Sequence, residues 1–227
     1  MPRRWPLLFI ILPLLGGCAS TGGGGTASTS PEGLSPQEME AIYRARVDGA
    51  RTRYTPADID FMTGMIHHHA QAVEISRLAP SHGARPSVQT LASRIINAQL
   101  DEIATMQRWL RDRGQPAPEL HESDMGIMVH GGGHNHMEGM PGMLSREQID
   151  RLSASRGAEF DRLFLTYMIE HHKGAVTMVR TLFATDGAGQ DEEVFRFASD
   201  VQVDQATEVA RMQRMLDALP SGQGGAR

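Results

Sequence analysis

The chain has 227 residues, 40% hydrophobic and only 5% aromatic, with a formal net charge of −5 and a pI near 6.0. That length holds one sizeable domain or two small ones. The aromatic content is short of what β-sandwiches carry, and no basic patch points to nucleic acid as a partner. The unusual counts are 14 Met and 10 His.

The chain opens with Arg3 and Arg4, followed by the nine-residue apolar run LLFIILPLL at residues 7–15. Such a run is too short to span a bilayer and reads as the core of an export signal. It ends in LGGC, with Cys18 the sole cysteine. Leu, two small residues and Cys resemble a bacterial lipoprotein cleavage box; the alternative is an ordinary signal peptide with an incidental Cys. The expectation is that residues 1–17 are removed and that Cys18 carries lipid. Ala19 rather than Asp at the next position implies outer-membrane retention, facing the periplasm. With no other Cys there is no internal disulfide and no thiolate metal site, so any soft metal falls to Met and His. Residues 18–50 read as a Gly/Ser/Thr-rich tether, with a short helix over residues 34–53.

Two stretches then repeat. DIDFMTGMIHHHAQAVEI (residues 58–75) and DRLFLTYMIEHHKGAVTM (residues 161–178) coincide at an offset of 103 in Asp, Phe, Thr, Met-Ile, His-His and Ala-Val. AQLDEIATMQRWL (residues 98–110) pairs with DQATEVARMQRML (residues 204–216) in the same way. In the first repeat Phe61, Met65, His68, Ala72 and Ile75 recur every three or four residues; Phe164, Met168, His171, Ala175 and Met178 do so in the second. Each half therefore reads as helix, turn, helix, and the whole as an all-α bundle of four helices built from a duplicated hairpin. The expected bodies are residues 51–116 and 145–220, with a disordered tail at 221–227. Thr55-Pro56 starts the first helix. The second runs over residues 87–113 to Gly114, and its partner over 192–219 to Pro220. Ser145-Arg-Glu-Gln148 is a capping box leading into the third.

At about 100° per residue, Phe61, Met65 and Ala72 share a line that His68 and His69 straddle. Glu102 sits on the inward stripe of the second helix with Gln99 and Met106, where an unpaired charge is costly. It is therefore expected to meet His68 or His69, and Glu208 to meet His171 or His172. Four His and two Glu would converge alongside Met65, Met106, Met168 and Met212. Such a cluster either fixes the register of the helices or binds a transition metal.

Residues 117–144 carry Met125, Met128, His130, His134, His136, Met137, Met140 and Met143 among Gly and Pro, with no helix or strand pattern. Thioethers take Cu(I) without losing a proton, and neutral imidazoles also take Cu(II). The stretch reads as a copper ligand strip, loose enough for capture and transfer rather than catalysis.

The motif F-x-x-x-M-I-x-H-H-x-x-A-V, present twice, resembles the bacterial family known as domain of unknown function 305. The resemblance covers residues 58–216. It implies a ferritin-like fold, export, and in some members a link to periplasmic copper binding and resistance. The positions carried over are Phe61, Met65, His68, His69, Glu102 and Met106, then Phe164, Met168, His171, His172, Glu208 and Met212. His67 departs from its counterpart Glu170. A ferritin-like di-metal oxidoreductase would need Glu-x-x-His, and here Thr105 and Arg211 stand three residues past the two Glu. The reading is a non-enzymatic, lipid-anchored copper-binding protein that sequesters or delivers copper, with other copper-handling proteins as partners. A non-catalytic structural or interaction lipoprotein is the alternative. Oligomeric state is not legible.

Overall fold

The computed structural model describes residues 34–51, 53–123, 126–131 and 139–220. The export signal, residues 18–33 of the tether with Cys18, then Met125, His134, His136, Met137 and the tail all lie outside them. The chain divides after Ile42. The first unit, as described, is the start of α1 (Pro36–Arg51), where Ser35 and Glu38 close a capping box. The second unit carries the rest. Among the described residues no helix is long and apolar enough to cross a membrane.

Four long helices form the bundle: α2 (Pro56–Ser76), α3 (Pro86–Asp112), α5 (Gly157–Ala184) and α6 (Glu192–Asp217). Helices α2 and α3 pack as one hairpin, α5 and α6 as the other, and α2 packs on α5 between them. The duplicated four-helix bundle expected from the repeat is present. Every residue from Phe61 to Ala70 of α2 is buried, as befits a helix enclosed on all sides.

The start of α2 is fixed locally and then used globally. Thr55 and Asp58 form a capping box: Thr55 N donates to Asp58 Oδ2 at 2.7 Å, and Asp58 N donates to Thr55 Oγ1 at 3.3 Å. The second carboxylate oxygen of Asp58 accepts from Gly189 N at 2.7 Å, in the turn of the other hairpin. Asp161, its equivalent in the repeat, accepts from Arg85 N at 3.1 Å and Arg85 Nε at 2.8 Å, in the turn of the first hairpin. Each hairpin's turn is thus tied to the first helix of its partner. A further tie runs from α3: Trp109 Nε1 and Arg113 donate to Asp191 at 3.2 and 2.7 Å.

The apolar core is in two parts. One gathers Phe160, Phe164, Leu91, Ile95, Met168 and Met212; the other gathers Phe61, Met65, Met106, Trp109, Val179 and Val201. The His68-His69 and His171-His172 pairs lie in sequence between the residues that α2 and α5 give to each part.

Two expectations need correction. The lead-in before the third long helix is a separate short helix, α4 (Arg146–Ala154), capped by Ser145 and Gln148 and ended by Ser155 in extended backbone. The stretch expected to be patternless holds a β-hairpin, β1 (Glu119–Ser123) with β2 (Gly126–His130), antiparallel with Leu120 opposite Val129 and His121 opposite Met128. Leu120 and Val129 pack against the core while His121 and His130 are exposed. Neighbouring strand residues point to opposite faces, so Leu120 and Val129 turn inward where His121 and His130 turn outward.

Candidate metal centre

Four imidazoles form a polar layer inside the bundle. His68, His69, His171 and His172 are all 0% exposed. Within each hairpin one His meets the carboxylate of the next helix: His69 Nε2 donates to Glu102 Oε2 at 2.5 Å, and His172 Nε2 to Glu208 Oε2 at 2.6 Å. The sequence left open which His meets which Glu; in both halves it is the second. The first His of each pair faces the other hairpin. The His68 and His171 rings lie across α2 and α5 with centroids 3.8 Å apart and planes 38° apart.

The four methionines expected beside this cluster divide between the two apolar parts. Met65 and Met106 belong to one core and Met168 and Met212 to the other, all 0% exposed. Spacing of three residues puts Met65 and Met168 one turn from the His, and antiparallel packing then separates them. His67, the departure from the repeat, is buried, whereas Glu170 is exposed.

Burial sets the electrostatics. It holds the His68 imidazole at about 3, with His69 beside it pushing the same way. Burial also holds His171 well below the ordinary value of 6.5. Both rings are neutral at physiological pH and need no deprotonation to offer a lone pair. Their nitrogens are poorly used. Nδ1 of His68, His69 and His172 and both nitrogens of His171 are buried without a hydrogen-bond partner, as are Oε1 of Gln99 and Gln205. In His69 and His172 Nε2–H donates to the carboxylate and leaves the Nδ1 lone pair to bind a metal, the arrangement of carboxylate–histidine–metal triads. The donor set fits a borderline or soft ion. It is not a finished cage: among the described residues no group of three or more His, Cys, Asp or Glu stands where it could hold a metal ion.

Glu102, the partner of His69, also lines a groove of about 410 Å³ between α3 and α6, with Asp101, Asp200 and Asp204 among others. Burial, then the nearby carboxyls of Glu102, Asp200 and Glu208, push the Asp204 carboxyl up.

The imidazole layer is covered on one side by the end of the Met/His segment, which runs as a strap over α2 and α5. Pro141 O accepts from His68 Nε2 at 3.1 Å. Gln71 grips the next turn from both sides, donating to Leu144 O at 3.1 Å and accepting from Leu144 N at 2.7 Å. The strap lies so close to α5 that a Cβ on Gly174 would stand 2.0 Å from Pro141 O, and one on Gly142 would stand 2.6 Å from Glu170 O. Gly142 also has φ +77°, a conformation other residues rarely adopt. Met140 and Met143 are half-buried in this strap, whereas His130 is exposed on β2. Of Met128 only the backbone, in β2, is described. Sequence reasoning missed His121, whose ring lies 5.0 Å from that of His130 at 69° across the hairpin.

The family model described as Domain of unknown function (DUF305) matches residues 58–216. A DUF305 fragment from Deinococcus radiodurans has a similar structure, with 28% identity, a TM-score of 0.59, and coverage of 73% of this chain and 99% of its own. CopM in the Cu(I)-bound form is similar at 25% identity and TM-score 0.52, covering 70% of this chain and 95% of its own. CopM in the Cu(II)-bound form is similar at 26% and 0.53, with the same coverage. No curated protein matches the chain.

Proposed function

Because the chain belongs to the DUF305 family and shares its fold with CopM, a protein solved with Cu(I) and with Cu(II) bound, we propose that it binds copper for sequestration or delivery and is not an enzyme. The observation that carries this reading is the seat of the strap. It fastens the end of a segment rich in Met and His directly over a layer of buried imidazoles whose Nδ1 atoms have no partner. A captured ion thus arrives beside donors that already lack a proton. Thioether and imidazole are the side chains that soft and borderline ions prefer, and with Cys18 reserved for lipid no thiolate competes. The segment's Met and His take up the ion, and the His layer holds it or braces the bundle beneath.

The export signal and the LGGC box support a lipid anchor on the outer membrane, facing the periplasm, with copper passed to or from other copper-handling proteins. In this reading Cys18→Ser moves the protein from the membrane fraction to the soluble periplasm. Persistence of that variant in the membrane fraction would remove the anchor.

One observation favours the structural alternative: the His68 and His171 rings pack against each other, tilted by 38°, and no three-ligand group is preformed among the described residues. Metal analysis of the full-length protein, purified from its membrane without an affinity tag and titrated with Cu(I), Cu(II) and Zn(II), separates the readings. Tightly held copper is the expected result. Two irons per chain would bring forward an oxidoreductase. No metal held or taken up would leave the His–Glu pairs as register-fixing contacts.

A further inference from the structure

We infer that Met140 of the strap and Met178 of α5 form a two-thioether seat for Cu(I), built on Gly64 of α2. This deepens the copper reading above and rests on it. The two methionines come from segments far apart in sequence, and they meet at one point. A Cβ on Gly64 would lie 3.5 Å from Met140 Sδ and 3.5 Å from Met178 Cε. Both side chains are only half-buried, so an ion can reach them.

The surroundings hold this arrangement in place. Met140 precedes Pro141, whose carbonyl is bonded to His68, and the strap is then pinned by Gly142 on α5 and by Gln71 on Leu144. Met178 lies one turn beyond Gly174, where the strap touches α5, and His68 lies one turn beyond Gly64 on α2. The seat is therefore next to the imidazole layer and continuous with it. Glycine is a costly choice inside a helix, by about 1 kcal/mol against Ala. Here a glycine leaves the space that both sulfur-bearing side chains border. Uncharged thioethers select a soft monovalent ion over hard divalent ones and need no proton loss.

Three proteins test this: wild type, the Met140→Leu/Met178→Leu double variant, and Gly64→Ala. The leucines keep the packing volume and remove both sulfurs. The alanine removes no ligand, strengthens the helix, and fills the space between the two side chains at ordinary van der Waals distance. Full-length protein is titrated anaerobically with Cu(I) against a chromophoric chelator, with circular dichroism checking the fold. The expected result is a loss of one Cu(I) equivalent, or at least a tenfold weakening of it, in both variants, with wild-type helicity. Wild-type stoichiometry and affinity in the double variant would overturn the seat and leave the copper reading standing. A wild-type protein that takes up no Cu(I) would bring down both.

Discussion

His171 has both ring nitrogens buried without a hydrogen bond of ordinary geometry, its contact with the His68 backbone being a weak one, and each unmet buried group costs about 1–3 kcal/mol. Packing alone gives no reason to keep it. Metal-free His171→Leu should therefore be more stable than wild type at pH 7 by about 1–2 kcal/mol, raising the thermal midpoint by about 2–8 °C. A lower midpoint would mean that the His68–His171 ring contact itself holds the helices in register. The pH dependence has a definite sign. Burial depresses the folded pKa of His171, so as pH falls through 6.5 the unfolded chain takes the proton first. Stability present above that pH is then lost on acidification. His68, held at about 3, acts in the same sense over the window between 6.5 and about 3. The midpoint of metal-free wild type should thus fall more steeply between pH 7 and pH 4 than that of His171→Leu, measured by thermal denaturation at a series of pH values. That the His-His pairs point inward was legible, because helical phase fixes direction. Which His meets the carboxylate was not, since that depends on how α3 is rotated against α2.

At the scale of elements, the strap decides whether the Met/His segment and the imidazole layer act together. Its contact with α5 depends on Gly174, where a Cβ would collide with Pro141. Gly174→Ala should lift the strap while leaving the bundle intact, because Ala favours the helix by about 1 kcal/mol. Hydrogen exchange reads this directly: the Leu144 amide, bonded to Gln71 in wild type, should lose protection while amides in the middle of α5 keep theirs. Unchanged Leu144 exchange would mean the strap tolerates the methyl group by shifting. Nothing local in the sequence marked this seat. Gly142 and Gly174 look like a turn residue and an ordinary helix glycine until the two are seen to face each other. The hairpin was legible in principle. ELHES and GIMVH are short, and GIMVH carries the β-branched Ile127 and Val129, but the density of Met, His and Gly around them drew the reading toward a loop.

The duplicated hairpin was legible because the same face pattern occurs twice, at offsets of 103 for the first helix and 106 for the second, and burial of that face is what drives the bundle. The hand-over between halves was not, since it joins residues 131 and 76 positions apart. Asp58 reaches Gly189 and Asp161 reaches Arg85, so neither turn is complete without the other hairpin. The halves should consequently unfold together. Asp58→Ala removes a capping box and strands the buried Gly189 N–H, which should cost about 2–4 kcal/mol. Asp161→Ala loses an ion pair with half-exposed Arg85 and strands the Arg85 N–H, and should cost less, about 1–3 kcal/mol. In both variants the fluorescence of Trp109, which α3 sends to the Asp191 tie, should report the same urea midpoint as far-UV circular dichroism. If the midpoints separate in Asp58→Ala, each hairpin has its own stability and the cross-ties only orient them. The imidazole layer at their junction would then be the product of docking rather than its cause.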